Sequence, residues 1–132
     1  DKEKCSGCCM CIAVCPHGAA GVDWAGNSNK EVIRRITEYA FAAQKERNWW
    51  YVNFLTDITY QCDCMNLSQK PFMKDIGILF GKDPVAIDQA SIDLVSKQAG
   101  KDPFQNSIDA QEALRYGEEI GLGSRKYSLI KL

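Results

Sequence analysis

The sequence predicts an α/β fold, with α+β as the alternative: a small sheet covered by helices, preceded by a cysteine-rich loop. Three observations carry this. Two short runs, Trp49 to Leu55 and Asp75 to Phe80, are dense in branched and aromatic residues over strand-like lengths. Three longer stretches repeat apolar residues at helical spacing behind capping residues. Five of the seven cysteines crowd into residues 5–15, the habit of a ligand loop rather than of a packed element.

At 132 residues the chain holds one core of ordinary size. Hydrophobic residues at 45% and charged residues at 25% are those of a globular protein and argue against disorder. Sixteen basic against seventeen acidic residues leave a formal charge of −1 without a basic cluster, so nucleic acid and anionic membrane surfaces are not expected partners. No apolar run approaches the ~20 residues of a membrane helix. The crowded cysteines suit a reducing compartment, read as the cytoplasm. The chain begins at Asp1 rather than Met, which suggests that a segment has been lost upstream.

The elements follow in order. Residues 17–29 are rich in glycine, serine and asparagine and read as the exit from the cysteine loop, with a short strand at Val22 and Trp24. Ser28 with Glu31 forms a capping box that opens a helix to about Arg47, its apolar stripe (Val32, Ile33, Ile36, Tyr39, Ala40, Ala43) facing a sheet. The strand from Trp49 is apolar at both parities and is expected to be covered on both faces. Cys62, Asp63 and Cys64 follow its C-terminal end, the edge where ligands bind in open α/β sheets.

The second strand, Asp75 to Phe80, precedes Asp83-Pro84, an N-cap with proline at the first helical position. That helix runs to Ala99 and stops at Gly100. Asp88 falls on its apolar seam with Val85, Ile92, Val95 and Ala99, so it is expected either to cap loop amides or to serve as a site carboxylate with a perturbed pKa. Asp93 falls with Gln89, Ser96 and Lys97 on a polar side. Ser107 caps a last helix to about Ile120, and Tyr127 to Leu132 reads as a terminal strand.

The chemistry is named by Cys5-Ser6-Gly7-Cys8-Cys9-Met10-Cys11-Ile12-Ala13-Val14-Cys15-Pro16. The spacing C-x2-C-x2-C-x3-C-P is the bacterial ferredoxin run that wraps a 4Fe–4S cluster. Zinc sites favour two separated C-x2-C pairs, and a disulfide framework needs a small secreted chain. In two-cluster ferredoxins the first three cysteines of such a run hold one cluster and the fourth ligates the other. Cys5, Cys8 and Cys11 are therefore the firm ligands. Cys15, Cys62, Cys64 and a cysteine upstream of Asp1 compete for the fourth place.

The chain resembles the uncharacterised iron–sulfur-centre proteins, in which ferredoxin 4Fe–4S motifs are joined to the domain of unknown function numbered 362. The resemblance runs nearly end to end. It rests on the cysteine run, Glu38-Tyr39-Ala40, Ile58-Thr59 followed by Cys62-Asp63-Cys64, Asp75-Ile76-Gly77-Ile78, Asp83-Pro84-Val85-Ala86-Ile87-Asp88-Gln89-Ala90 and Glu119-Ile120-Gly121-Leu122-Gly123. It implies a C-terminal part whose upstream neighbour carries a second ferredoxin motif, and it implies no substrate. The organisation expected is a ferredoxin-like iron–sulfur segment over 1–27 and an α/β domain of unknown function over 28–132.

Three functions follow. The first is single-electron transfer by a 4Fe–4S protein with a redox partner protein, in which His17 beside the loop couples potential to pH or is an ordinary turn residue. The second is an oxidoreductase whose α/β domain binds a substrate next to the cluster, supported by Cys62, Asp63 and Cys64 beyond a strand end and by Asp88. The third is a separate metal site at Cys62 and Cys64, whose one-residue spacer strains a mutual disulfide.

Overall fold

Four helices and one two-stranded antiparallel sheet form the described part of this computed structural model, the α/β architecture that the patterning predicts. It describes residues 3–5, 8–21, 29–61, 67–104 and 110–132. In chain order these form α1 (Met10–Val14), α2 (Asn29–Gln44), β1 (Tyr51–Leu55), β2 (Gly77–Gly81), α3 (Pro84–Ala99) and α4 (Ala110–Glu119). The short strand at Val22 and Trp24 and the Ser107 cap fall outside the described residues, as does Ser28. None of the helices is long and apolar enough to cross a membrane, among the described residues.

The sheet is a ribbon in which Val52 lies opposite Phe80, Asn53 opposite Leu79 and Phe54 opposite Ile78. Alternation sends Tyr51, Asn53, Leu55 and Leu79 toward α3, which packs on both strands. Val52, Phe54, Ile78 and Phe80 take the other face and are exposed. The expected cover on both faces is thus corrected to one. Apolar residues at both parities mark a strand with two apolar faces, but they do not say what lies against the second. On the open face the Trp50 ring stacks on Phe80, with centroids 4.5 Å apart and planes within 5°. The Lys82 ammonium sits 4.6 Å over Trp50.

α3 is the centre of the core. Asp83 caps it, its Oδ1 accepting the N–H groups of Val85 and Ala86 at 2.9 Å each, and Pro84 occupies the first turn, where no N–H is needed. Gly100 ends it in the left-handed conformation (φ 74°), which glycine adopts without strain. Val85, Ile87, Ala90 and Val95 are buried between the sheet and α4. The Asp83 Oδ2 reaches across to accept the Ser124 N–H at 2.8 Å. Gly123 makes this approach feasible, because any Cβ there would run into the Asp83 carboxylate. Gly117 has a similar role on α4, where a Cβ would stand 3.1 Å from Val85 Cγ2.

Two expectations about α3 are corrected. Asp88 is exposed rather than buried in the seam, and it accepts a hydrogen bond from Asn53 Nδ2 at 2.8 Å. The seam is buried only at Val85 and Val95, and Asp88 lies where α3 leans on β1. Gln89, on the side expected to be polar and solvated, is buried, and it donates to Asp93 at 2.9 Å.

α2 ends at Gln44 rather than at Arg47, with Glu46 turning the chain in a left-handed conformation (φ 66°). Its core positions are Ile33 and Thr37, whose hydroxyl donates to the Ile33 carbonyl at 2.9 Å. Val32, Ile36 and Tyr39 of the expected stripe are exposed, because α2 packs on α4 and not across the sheet. The contact is fixed by Glu112, a buried carboxylate bonded to Arg115 Nη2 at 2.9 Å and Arg34 Nε at 2.7 Å, with Lys30 at 3.7 Å. Hydrogen bonds from Arg115 first and Arg34 second hold its carboxyl down at about 2.

Tyr127 to Leu132 forms no strand. This segment is tied down by side chains instead, the Tyr127 hydroxyl donating to Asp93 at 2.7 Å. Arg125 bonds Gln89 and Gln111 at 2.8 Å each. These contacts fix Arg125 and Tyr127 against α3 and α4, while Leu129, Ile130 and Leu132 beyond them are exposed.

Candidate functional site

The cysteine run folds around a five-residue helix. Cys9 precedes α1 in a left-handed conformation (φ 57°), and its carbonyl accepts the N–H groups of Ile12 and Ala13 at 3.1 and 3.2 Å. A non-glycine residue held at positive φ is uncommon, and here it turns the chain sharply between Cys8 and Cys11. Cys11 lies within α1, and Cys15 ends the helix in an extended conformation that Pro16 prevents from continuing as helix. α1 packs on no other helix or strand, among the described residues.

Cys5, Cys8, Cys9 and Cys11 are exposed thiols and Cys15 is half-buried. After the Pro16-His17 turn the backbone comes back to the Cys15 sulfur. Ala19 N–H donates to its Sγ at 3.3 Å. The backbone amides of His17 first, then Ala19 and Ala20, draw its thiol below the ordinary value of 9.0 against the opposing effect of desolvation, with Gly18 contributing least. These donors stabilise a thiolate, the form that binds metal. His17, read as a potential tuner or a turn residue, is exposed in that turn, and its backbone makes the first of these contributions.

The thiols do not converge ready-made: no group of three or more His, Cys, Asp or Glu side chains is placed to hold a metal, among the described residues. Cys62, Asp63 and Cys64 lie outside the described residues. Their flanks are close together, since Gln61 N–H donates to Gln69 Oε1 and Gln69 Nε2 donates to the Gln61 carbonyl, both at 3.2 Å. Tyr60 stacks on Phe72 beside this clamp, with centroids 4.1 Å apart.

A family model for a domain of unknown function (DUF362) matches residues 6–93. The chain belongs to this family. No curated protein and no solved structure matches it. The DUF362 match takes in the cysteine run from Ser6, β1, β2 and most of α3. It carries no assigned chemistry, so the function has to be argued from side chains.

Within the DUF362 region, Asp88 is the polar residue that patterning singled out. Packing against β1 desolvates its carboxyl and raises its pKa, while the Asn53 hydrogen bond works in the other direction. Asn53 Nδ2 also donates to Ser91 at 2.9 Å, so Asp88 belongs to a polar bridge between α3 and the sheet. Two open cavities lie elsewhere. One of about 230 Å³ is lined by Lys45, Arg47, Trp49, Tyr51 and Lys82. The other, about 260 Å³ and mostly apolar, lies between Leu79, Ile87, Ala90, Tyr127 and Leu129. Neither is lined by a cysteine or by Asp88. The amide cradle of Cys15 was not anticipated from sequence, although Pro16-His17-Gly18 just after the cysteine is a turn signal that points to it.

Proposed function

We propose that the chain is an electron-transfer protein whose N-terminal loop carries a 4Fe–4S cluster. The observation that carries the reading is the last cysteine of the C-x2-C-x2-C-x3-C-P run, whose Sγ accepts the Ala19 N–H and whose thiolate the neighbouring backbone favours. N–H donors around a ligand sulfur are the means by which iron–sulfur proteins set cluster potential. The donor set fits in kind: soft, exposed thiols on one short loop. Their assignment as ligands rests on that chemistry and on the spacing, with Cys5, Cys8 and Cys11 as three ligands and Cys15 as the fourth in this chain, taking the place that a cysteine of the neighbouring run holds in two-cluster ferredoxins. When bound, the cluster supplies one-electron chemistry.

The partner on this reading is a redox protein, and the compartment is the reducing cytoplasm, in which exposed thiols persist. An oxidoreductase with its substrate in the α/β domain is an alternative reading. A metal site at Cys62 and Cys64 stands as the second reading, on their one-residue spacing.

Anaerobic reconstitution with iron and sulfide, followed by metal and sulfide analysis, tests the assignment. Cys5→Ser, Cys8→Ser and Cys11→Ser should each abolish incorporation, and Cys15→Ser should lower it while Cys62→Ser and Cys64→Ser leave it intact. Loss confined to the Cys62 and Cys64 variants would favour the second reading. An intact cluster in all six variants removes the ligand assignment altogether.

A further inference from the structure

We propose that the open face of the β1–β2 sheet is a self-association surface on which two copies of this chain pack face to face. The inference is independent of the iron–sulfur reading. Trp50, Val52, Phe54, Ile78 and Phe80 each keep between 47% and 66% of their surface in solvent. The register sets Val52 beside Phe80 and Phe54 beside Ile78, so four of the five side chains form two cross-strand pairs. Trp50 extends them by stacking on Phe80. With aromatic side chains of ~150–250 Å² each and smaller branched ones, the patch amounts to roughly 500 Å². That lies in the range of the largest apolar patches that monomers tolerate, which are often functional.

Two observations select a second copy as the occupant. The first is area: two such patches together remove roughly 1,000 Å² from water before any rim is counted, the threshold for a specific interface. Three of its side chains, Trp50, Phe54 and Phe80, are aromatic, the residue types enriched at protein interfaces. The second is charge. The Lys82 ammonium rests over Trp50 at one end of the face. Beyond the other end lie two exposed carboxylates, Asp57 and Asp75, joined by the Asp57 N–H to Asp75 Oδ1 hydrogen bond at 3.0 Å.

A two-fold axis lying between the sheets and across the strands reverses one copy end for end. It superposes the Lys82 end of each protomer on the Asp57–Asp75 end of the other while the apolar centres meet. The face is therefore complementary to itself, as a closed two-fold interface requires. Sheets packed this way lie ~10 Å apart, within reach of a lysine side chain. The formal charge of −1 per chain offers little long-range repulsion.

Sedimentation equilibrium of the 132-residue chain under reductant tests this, with Phe54→Glu and Ile78→Lys as variants. Both positions are exposed, so circular dichroism should report an unchanged fold. The expected result is a dimer whose dissociation constant rises at least ~30-fold in either variant, the effect of losing an interface hot spot. Zero-length carbodiimide coupling should in addition join Lys82 of one copy to Asp57 or Asp75 of the other. A monomer up to roughly 1 mM, the weak limit of specific association, overturns the proposal. A dimer indifferent to both substitutions, or one that yields no coupling at Lys82, overturns it as well.

Discussion

Replacing Asp83 by alanine perturbs the point where three parts of the fold meet. Its Oδ1 satisfies two N–H groups of the first turn of α3, and its Oδ2 satisfies Ser124 N–H on the turn after α4. Loss of an N-cap costs about 1 kcal/mol. Loss of the negative charge at the helix N-terminus adds ~0.5 kcal/mol. The part-buried Ser124 N–H, left without an acceptor, adds ~1 kcal/mol. The sum is roughly 2–3 kcal/mol, and at ~4 °C per kcal/mol for a domain of this size the Tm should fall by about 8–12 °C. Asp83→Asn keeps the Oδ1 acceptor but turns an amide NH2 toward Ser124, so it should fall between wild type and alanine. Gly123→Ala crowds the same carboxylate, and its effect should be less than additive with that of Asp83→Ala. Thermal and urea unfolding followed by circular dichroism provide the assay. An Asp83→Ala variant within ~0.5 kcal/mol of wild type, the usual range of surface substitutions, would refute the reasoning.

The other consequences are more local. Glu112, held at about 2 in the fold against an ordinary 4.5, stabilises the protein above the ordinary value. That contribution is lost as pH falls from about 4.5 toward 2, so urea unfolding of Glu112→Gln and wild type should converge over this window; a constant difference would contradict the clamp. Asp88 shows the opposite sign, since its raised pKa means that ionisation works against the fold. Asp88→Asn should therefore be neutral or slightly stabilising at pH 7, and a marked loss of stability would indicate a partner other than Asn53. Cys15 in the metal-free protein should alkylate at pH values below those of an ordinary thiol, because the amides favour its thiolate; peptide mass spectrometry of labelling rates against pH reads this directly.

Where local chemistry decides, the fold was legible. Asp83-Pro84 and Gly100 mark both ends of α3, and cap geometry involves only neighbouring residues. The two strands were legible in their branched and aromatic content. What covers them was not, because a strand with two apolar faces reads the same whether the second face meets a helix, another molecule or water. Asp88 was misplaced by a helical wheel that treats the Val85 seam as uniformly buried, whereas that seam runs out toward the edge where Asn53 stands. Gln89 erred in the other direction, buried by the arrival of Arg125 from 36 residues further along the chain.

The Glu112 clamp also joins partners remote in sequence, Arg34 being 78 residues away. No local pattern announces such a pair. Tyr127 to Leu132 carries strand-like residues, yet side-chain bonds to Asp93, Gln89 and Gln111 hold the approach to it, and propensity did not prevail. For the candidate site, spacing alone points to the cysteines and to a metal class. The backbone donor at Cys15 depends on how the chain turns after Pro16, which composition hints at without fixing.

The most direct test is electron paramagnetic resonance and Mössbauer spectroscopy of the anaerobically reconstituted, dithionite-reduced protein, with iron and sulfide counted on the same sample. The account requires the signature of a reduced 4Fe–4S cluster, with four irons and four sulfides per chain as that cluster type demands. Tetrahedral zinc at the cysteine run, or a chain that takes up no iron while its circular dichroism shows it folded, would contradict it.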